Sequence, residues 1–162
     1  MEIKLVQVYE DLLEITSAVA QNIFVEYYKP INGLEHATYM ADKFLSEEAL
    51  KEEIEKGTVI KLMFLYNKPI GFTEYIIDND RIFLSKLYLD KENRHKGYGK
   101  IMLQDCIEYA KRNNKNAIYL TVNKHNKTKD IYLHLGFEII DSVVTDIGNG
   151  FVMDDYIMQL NI

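Results

Sequence analysis

Lys91-Glu92-Asn93-Arg94-His95-Lys96-Gly97-Tyr98-Gly99-Lys100 is the stretch from which the rest of the chain can be ordered. Before it, Ile82 to Leu89 is an apolar-rich run of strand character. After it, Ile101, Met102, Cys106, Ile107 and Ala110 recur at helical spacing. Two glycines and several cations therefore fall where a strand passes into a helix. Backbone N–H groups at a helix start point outward along the axis and attract anions. Gly97 and Gly99 remove side chains that would hold a phosphate away. The segment reads as a pyrophosphate cradle, or, taken alone, as a solvated strand-to-helix loop.

Charge favours the cradle. The chain carries a formal net charge of -6, yet this segment sets Lys91, Arg94, Lys96 and Lys100 against Glu92. Such a basic knot in an acidic chain suits an anionic ligand. The acidic balance argues against general nucleic-acid binding. At 162 residues, 48% hydrophobic and 27% charged, the chain is expected to form one globular domain, residues 1–162. No apolar run reaches the ~18 residues of a membrane span. The stretch Met1 to Val6 lacks a signal-peptide pattern. Cys106 is the single cysteine, so no internal disulfide can form, and it sits on the apolar stripe of its helix as a core residue. A reducing, cytoplasmic location is expected. His36, His95, His125 and His134 form no metal-ligand pattern with it, and no metal is expected. Neither the phosphate loop of the nucleotide triphosphatases nor the dinucleotide fingerprint fits these glycines.

Working outward, residues 2–9 alternate as a first strand, and Asp11 to Tyr28 carries a long amphipathic pattern that Pro30 and Gly33 should break. Helical pieces follow around His36 to Lys43 and Glu47 to Lys56, the second capped by Ser46. Thr58 to Tyr66 and Ile70 to Ile77 read as strands joined by a turn at Asn67-Lys68-Pro69. Asn79-Asp80 turns into the Arg81 to Leu89 strand. Beyond the glycine element and its helix come a strand over Ile118 to Val122, a short helix over Lys127 to Leu135, and two strands flanking Gly148-Asn149-Gly150. The class is α/β (α+β): a mixed, mostly antiparallel sheet of about seven strands flanked by about four helices.

Arg94-His95-Lys96-Gly97-Tyr98-Gly99 resembles the signature of the GNAT superfamily of N-acetyltransferases: Arg or Gln, two residues, Gly, one residue, Gly or Ala. Tyr132, four residues before Gly136-Phe137, resembles a second motif of that family. The segments Tyr39 to Leu50 and Asp146 to Tyr156 are similar to bacterial spermidine/spermine N-acetyltransferases of the PaiA kind. The resemblance implies a V-shaped splay between the fourth and fifth strands. It also implies acetyl-CoA as co-substrate and a small primary amine, of polyamine or diamine type, as acceptor. Direct attack in a ternary complex and, by family habit, a homodimer are implied as well.

On the same footing, the 94–100 segment (Arg94, His95, Lys96, Gly97, Tyr98, Gly99, Lys100) would hold the cofactor's phosphates. The strand residues Leu87, Tyr88 and Leu89 would pair with its pantetheine arm. A backbone N–H of Leu87 or a neighbour would stabilise the carbonyl oxygen. Tyr132 would be the general acid. The Asn that the family often places seven residues before this Tyr is His125 here, so Asn126 is the substitute. The fourth strand offers Arg81, Ser85 and Lys86 but no carboxylate base. Glu74 on the preceding strand is the first substitute, with a solvent-facing strand residue as the alternative. Asp154 and Asp155, adjacent on the last strand, must point to opposite faces; one of them, together with Glu26, is a candidate for holding a cationic acceptor. Two other readings stay open: acetylation of a protein or peptide amine, and a non-catalytic acetyl-CoA-binding module.

Overall fold

Alternating and helical patterns fold close to where the sequence puts them. The computed structural model describes residues 2–162; Met1, the first residue of the amino-terminal stretch read above, lies outside it. After β1 (Ile3–Gln7) comes α1 (Leu13–Asn32), which buries Leu13, Ala20, Ile23, Phe24 and Tyr28 along one face. Pro30 does not break α1 as expected. It lies in the last turn, where a proline removes one hydrogen bond without interrupting the helical body, and the helix ends at Gly33. The next helices are α2 (Leu34–Leu45) and α3 (Glu47–Glu55). Ser46 separates them and caps α3, its Oγ accepting from the Ala49 N–H at 3.1 Å.

The strands β2 (Val59–Leu65) and β3 (Lys68–Asp78) turn at Tyr66-Asn67, not at Asn67-Lys68-Pro69. Lys68 and Pro69 belong to the start of β3. Proline is tolerated there because Pro69 faces an irregularity in β2 and precedes the first β3 residue that pairs with the next strand. That strand is β4 (Arg81–Leu89), followed by a 3-10 turn at Lys91–Asn93 and then α4 (Tyr98–Arg112). The chain closes with β5 (Ala117–Asn123), α5 (Thr128–His134), β6 (Glu138–Gly148) and β7 (Phe151–Asn161). Five helices form, one for each helical segment read along the chain and one more than the overall expectation of about four.

All seven strands join one sheet in the order β1-β2-β3-β4-β5-β7-β6. Every neighbouring pair is antiparallel except β4 and β5, which are parallel. Helices α1, α2 and α3 pack on one face around Phe24, Tyr28, Leu45, Leu50, Ile60, Leu62 and Phe72. On the other face α4 buries Met102, Leu103, Cys106 and Ala110, against Ile82, Leu84, Ile118 and Leu120 of the sheet or, for Met102, against Met63 and Ile70. Cys106 is core, as expected; burial pushes its thiol up to about 12, so it stays protonated.

Candidate active site

The sheet opens in its middle. β4 and β5 pair only from Arg81 with Ala117 to Phe83 with Tyr119. Beyond that, six residues of β4 and four of β5 run on without pairing to each other. A bulge in β4 assists the departure: Glu74 pairs with Lys86 and Tyr75 with Leu84, leaving Ser85 as the extra residue. Its hydroxyl donates to the Glu74 carbonyl at 3.2 Å. Beyond the bulge β4 is held only on its β3 side, where Leu87 pairs with Thr73, Tyr88 with Phe72 and Leu89 with Gly71. Gly71 permits that approach, since a Cβ there would lie 2.5 Å from the Tyr88 carbonyl oxygen. The side chains of Leu87 and Leu89 pack toward α4, so only their backbone can meet a ligand in the gap.

The loop from β4 to α4 is fixed from within. The Asp90 carboxylate accepts from Asn93 N–H at 3.2 Å and from Asn93 Nδ2 at 2.6 Å. His95 and Gly97 both have positive φ, 63° and 88°, a pattern that turns successive N–H groups into one concavity. α4 begins without a side-chain cap and without an acidic residue in its first turn. Gly97 is needed for its backbone angle. Gly99 is not: a Cβ there would meet Leu87 and Leu89 at 3.8 and 3.9 Å, ordinary contacts. Its missing side chain leaves the space beside Leu87 and Leu89 at the start of α4 unfilled.

The charged side chains of this loop are arranged differently from the expectation. Arg94 donates to both Glu26 oxygens, at 2.7 and 3.2 Å, and from Nε to the Leu89 carbonyl at 3.0 Å, while its guanidinium lies over the Tyr27 ring. Arg94 thus pins the loop to α1, and Glu26 is its partner and not an isolated acceptor ligand. Tyr98 is buried against Met63, Ile70 and Met102, so its backbone alone fits the cradle. Lys100 lies in a groove on the outer side of α4 with Leu5, Gln104 and Glu108. Lys96 and His95 are exposed at the loop.

On the α1 face, tyrosines collect at the gap. The Tyr28 and Tyr88 hydroxyls are hydrogen-bonded at 2.8 Å, and Tyr88 also meets Phe24, Tyr27 and Phe72 with ring centres 5.5 to 5.8 Å apart. Tyr27 donates to Asn126 Oδ1 at 2.6 Å and shares a hydrogen bond with the Thr128 hydroxyl. Asn126 Oδ1 also accepts from Thr128 N–H at 2.8 Å. Asn126 thereby caps the turn into α5 and ties it to α1. Tyr132, on α5, packs its ring edge-on against Phe137. No hydrogen bond joins its hydroxyl to another described residue. Burial raises its phenol above the ordinary value, and Tyr28 and Tyr27 nearby push it the same way. Sequence reading passed over Tyr27 and Tyr28. Their spacing from Phe24 (i+3 and i+4) marks them as one helix face, and that was the available signal.

Two carboxylates face this side of the sheet. Glu74 is fully buried, and burial raises its pKa. Neither oxygen has a hydrogen-bond partner among the described residues; the Lys86 ammonium stands 3.5 Å away, a charge contact too long for a good hydrogen bond. Asp154 and Asp155 point to opposite faces, as strand geometry requires. Asp155 is 5% exposed and lies within electrostatic reach of Tyr28 of α1. Burial first, then Asp154, raises its carboxyl to about 6 against the pull of Lys124. Asp154 lies on the other face, paired at 3.1 Å with Lys124.

Residues 28–160 match the family described as acetyltransferase (GNAT) domain. The chain belongs to that family. The chain is similar to a spermidine N(1)-acetyltransferase from Thermoplasma acidophilum, 28% identical over 148 residues, covering 88% of this chain and 89% of the relative. An uncharacterised N-acetyltransferase from Lactobacillus delbrueckii subsp. lactis is 24% identical over 83% of each chain. Among solved structures, the PaiA N-acetyltransferase of T. acidophilum in complex with coenzyme A superposes with a TM-score of 0.85 at 26% identity, covering all of both chains. The resemblance to PaiA-type enzymes therefore holds in sequence and in fold. The two segments that carried it meet in space: Tyr39 OH and Lys43 Nζ of α2 donate to the Ile147 carbonyl at 2.7 and 2.6 Å, and the Tyr39 ring meets Phe151 with centres 5.2 Å apart; just before the first segment, His36 stacks on Phe151.

Proposed function

We propose that this GNAT acetyltransferase transfers the acetyl group of acetyl-CoA to a primary amine of polyamine or diamine type. The observation that carries the reading is the opening between β4 and β5 directly beside the uncapped start of α4. One presents unpaired strand backbone, suited to the amide-bearing pantetheine arm. The other presents the N–H concavity of residues 94–100, suited to the diphosphate. Lys96 is free to add charge there, whereas Arg94 acts by holding the loop on Glu26.

The acceptor enters from the α1 face. A peptide acceptor would need a groove between the first helices and the β6–β7 hairpin. Contacts of Tyr39, Lys43 and His36 with the hairpin occupy that place, which supports a small acceptor. Buried carboxylate and tyrosine faces favour a cationic one.

Tyr132 donates a hydrogen bond to the departing sulfur. Its raised pKa keeps it protonated but makes it a weak acid, and a thiol is the stronger acid of the two at ~8.5. Stabilisation by hydrogen bonding, with proton transfer late and coupled to C–S cleavage, is the consistent role. A backbone N–H near Leu87 serves the carbonyl oxygen. Lys86 at 3.5 Å supports a charge-paired, structural Glu74 over Glu74 as the base. A cytoplasmic location, a single domain over 1–162 and a homodimer accompany this reading.

The test is thiol release from acetyl-CoA with a panel of amines including spermidine, beside acetyl-CoA binding by calorimetry. Spermidine or a related diamine should release thiol. Tyr132→Phe should lower kcat by about tenfold or more with acetyl-CoA affinity unchanged. Binding without release on any amine would favour a non-catalytic module.

A further inference from the structure

An alkyl ammonium titrates near ~10.4, so an acceptor arrives at neutral pH carrying a proton that must leave before its nitrogen can attack. β4 carries no carboxylate, and Glu74, the sequence's substitute, already faces Lys86. Asp155 is different. It is 5% exposed as a residue, no hydrogen bond joins its carboxylate to another described residue, and its oxygens, unlike those of Glu74, keep an edge open to solvent. Such a group is costly to keep unless something polar comes to meet it.

Its position is set by register. β4 and β5 part after Phe83 and Tyr119. Tyr88 lies five residues further along β4, one of them the bulged Ser85, and Asn123 lies four residues further along β5. Asp155 pairs with Asn123. Tyr88 and Asp155 therefore stand at similar heights on the two sides of the gap, roughly 13 Å beyond its apex. Tyr28 joins them from α1, hydrogen-bonded to Tyr88 and within electrostatic reach of Asp155. Tyr132 interacts with both Tyr28 and Tyr88. The charged and titratable groups facing Asp155 are Asp154 on its own strand, Lys124 just past β5, and Tyr28 on α1; its β6 neighbour is Val143.

We propose that Asp155 is the catalytic base that takes the proton of the acceptor ammonium, an assignment that rests on the acetyltransferase reading above. The ammonium N–H proton passes to an Asp155 oxygen, leaving a neutral amine and a carboxylic acid. The nitrogen lone pair forms the C–N bond at the acetyl carbon, and the C–S bond breaks with its electrons on sulfur. The second proton leaves nitrogen for that sulfur, assisted by the Tyr132 hydrogen bond. Asp155 returns its proton to water after product departs. The sum is ammonium plus acetyl thioester giving amide, thiol and one proton. Burial among Tyr28, Tyr88 and Tyr132 lowers the basicity of the bound amine and narrows its gap to the carboxylate.

The experiment compares two acceptors, spermidine and a hydrazide that is already neutral at pH 7, on wild type and Asp155→Asn. The variant should lose about a hundredfold in kcat/KM on spermidine and less than about threefold on the hydrazide. Wild-type kcat/KM for spermidine should fall below pH about 6, with no such limb for the hydrazide. Acetyl-CoA affinity should stay within about twofold, and the charge control Asp141→Asn, exposed on β6, should match wild type. Equal losses on both acceptors, or a spermidine loss confined to KM, would overturn the assignment. Wild type that binds acetyl-CoA yet acetylates no amine would overturn the acetyltransferase reading itself. If Asp155→Asn does not fold, the two wild-type pH profiles decide alone: limbs of equal shape refute the base.

Discussion

Replacing Asp155 by Asn should make the protein more stable at neutral pH, and the gain should vanish in acid. Asp155 has an ordinary pKa of 3.8 when unfolded and about 6 when folded. Because the folded state holds its proton more tightly, stability from this group is full below pH 4 and is lost as pH rises through 6. The gap between the two values, at about 1.36 kcal/mol per pH unit, amounts to about 3 kcal/mol. Asn is nearly isosteric and cannot ionise, and Asp155 has no hydrogen bond that the swap would break. Linkage then makes the variant slightly the more stable at pH 4 and increasingly so up to pH 7, where the gain reaches at most about 3 kcal/mol and is smaller to the extent that water at the carboxylate edge screens the charge. For a domain of this size that upper figure is a rise of about 6–12 °C in Tm at pH 7. Urea denaturation of both proteins at half-unit pH steps measures it, and subtraction cancels every other titrating group. A difference that stays flat with pH, or a variant less stable at pH 7, would mean that Asp155 is solvated or well paired. The account of a buried, destabilising carboxylate would then fail.

Three further outcomes follow from the same geometry. Gly97→Ala should cost about 1–2 kcal/mol in melts because of its left-handed backbone, and should weaken acetyl-CoA binding; Gly99→Ala should leave Tm nearly unchanged, since its Cβ meets only Leu87 and Leu89 at van der Waals distance. Gly71→Ala, driven to 2.5 Å from the Tyr88 carbonyl, should cost about 2–3 kcal/mol by urea denaturation. Lys86→Met should lose about 3–5 kcal/mol at pH 8 by leaving Glu74 buried without its counter-charge. That loss should shrink in acid, because the raised Glu74 protonates, and adding Glu74→Gln should recover most of it.

The sheet, the glycine turn and the α4 stripe were legible because each is written in local spacing: alternation, helical period, cap and turn residues. Pro30 and Pro69 were misjudged because a proline's effect depends on whether its missing N–H had a partner. In the last turn of α1 and at the start of β3 the loss is tolerated. The candidate site divides the same way. Gly97 and Tyr132 sit in contiguous motifs. Arg94 with Glu26, Glu74 with Lys86 and Tyr28 with Tyr88 are pairs separated by 12 to 68 residues, and no local pattern declares them. Strand alternation did say that Asp154 and Asp155 face opposite ways. Which one faces α1 depends on the β5–β7 register, which only folding supplies.

That register leads to one more consequence. If Asp155 carries a negative charge in the empty site only at a cost, a cation bound beside it should relieve part of that cost. A quaternary ammonium analogue of the acceptor has no proton to lose and cannot be acetylated, so any pH dependence of its binding belongs to the protein. As Asp155 ionises, its competitive inhibition constant should fall as pH rises, by up to tenfold per unit below about 6, and level off above. Glu74 is the other buried carboxylate on this face and stands beside Lys86, so the Asp155→Asn profile separates the two carboxylates. With Asp155 removed the constant should be flat from pH 5 to 8. A wild-type profile that is flat as well would place the acceptor's charge away from β7, and the tyrosine-lined face of the gap would then have to hold it through its rings alone.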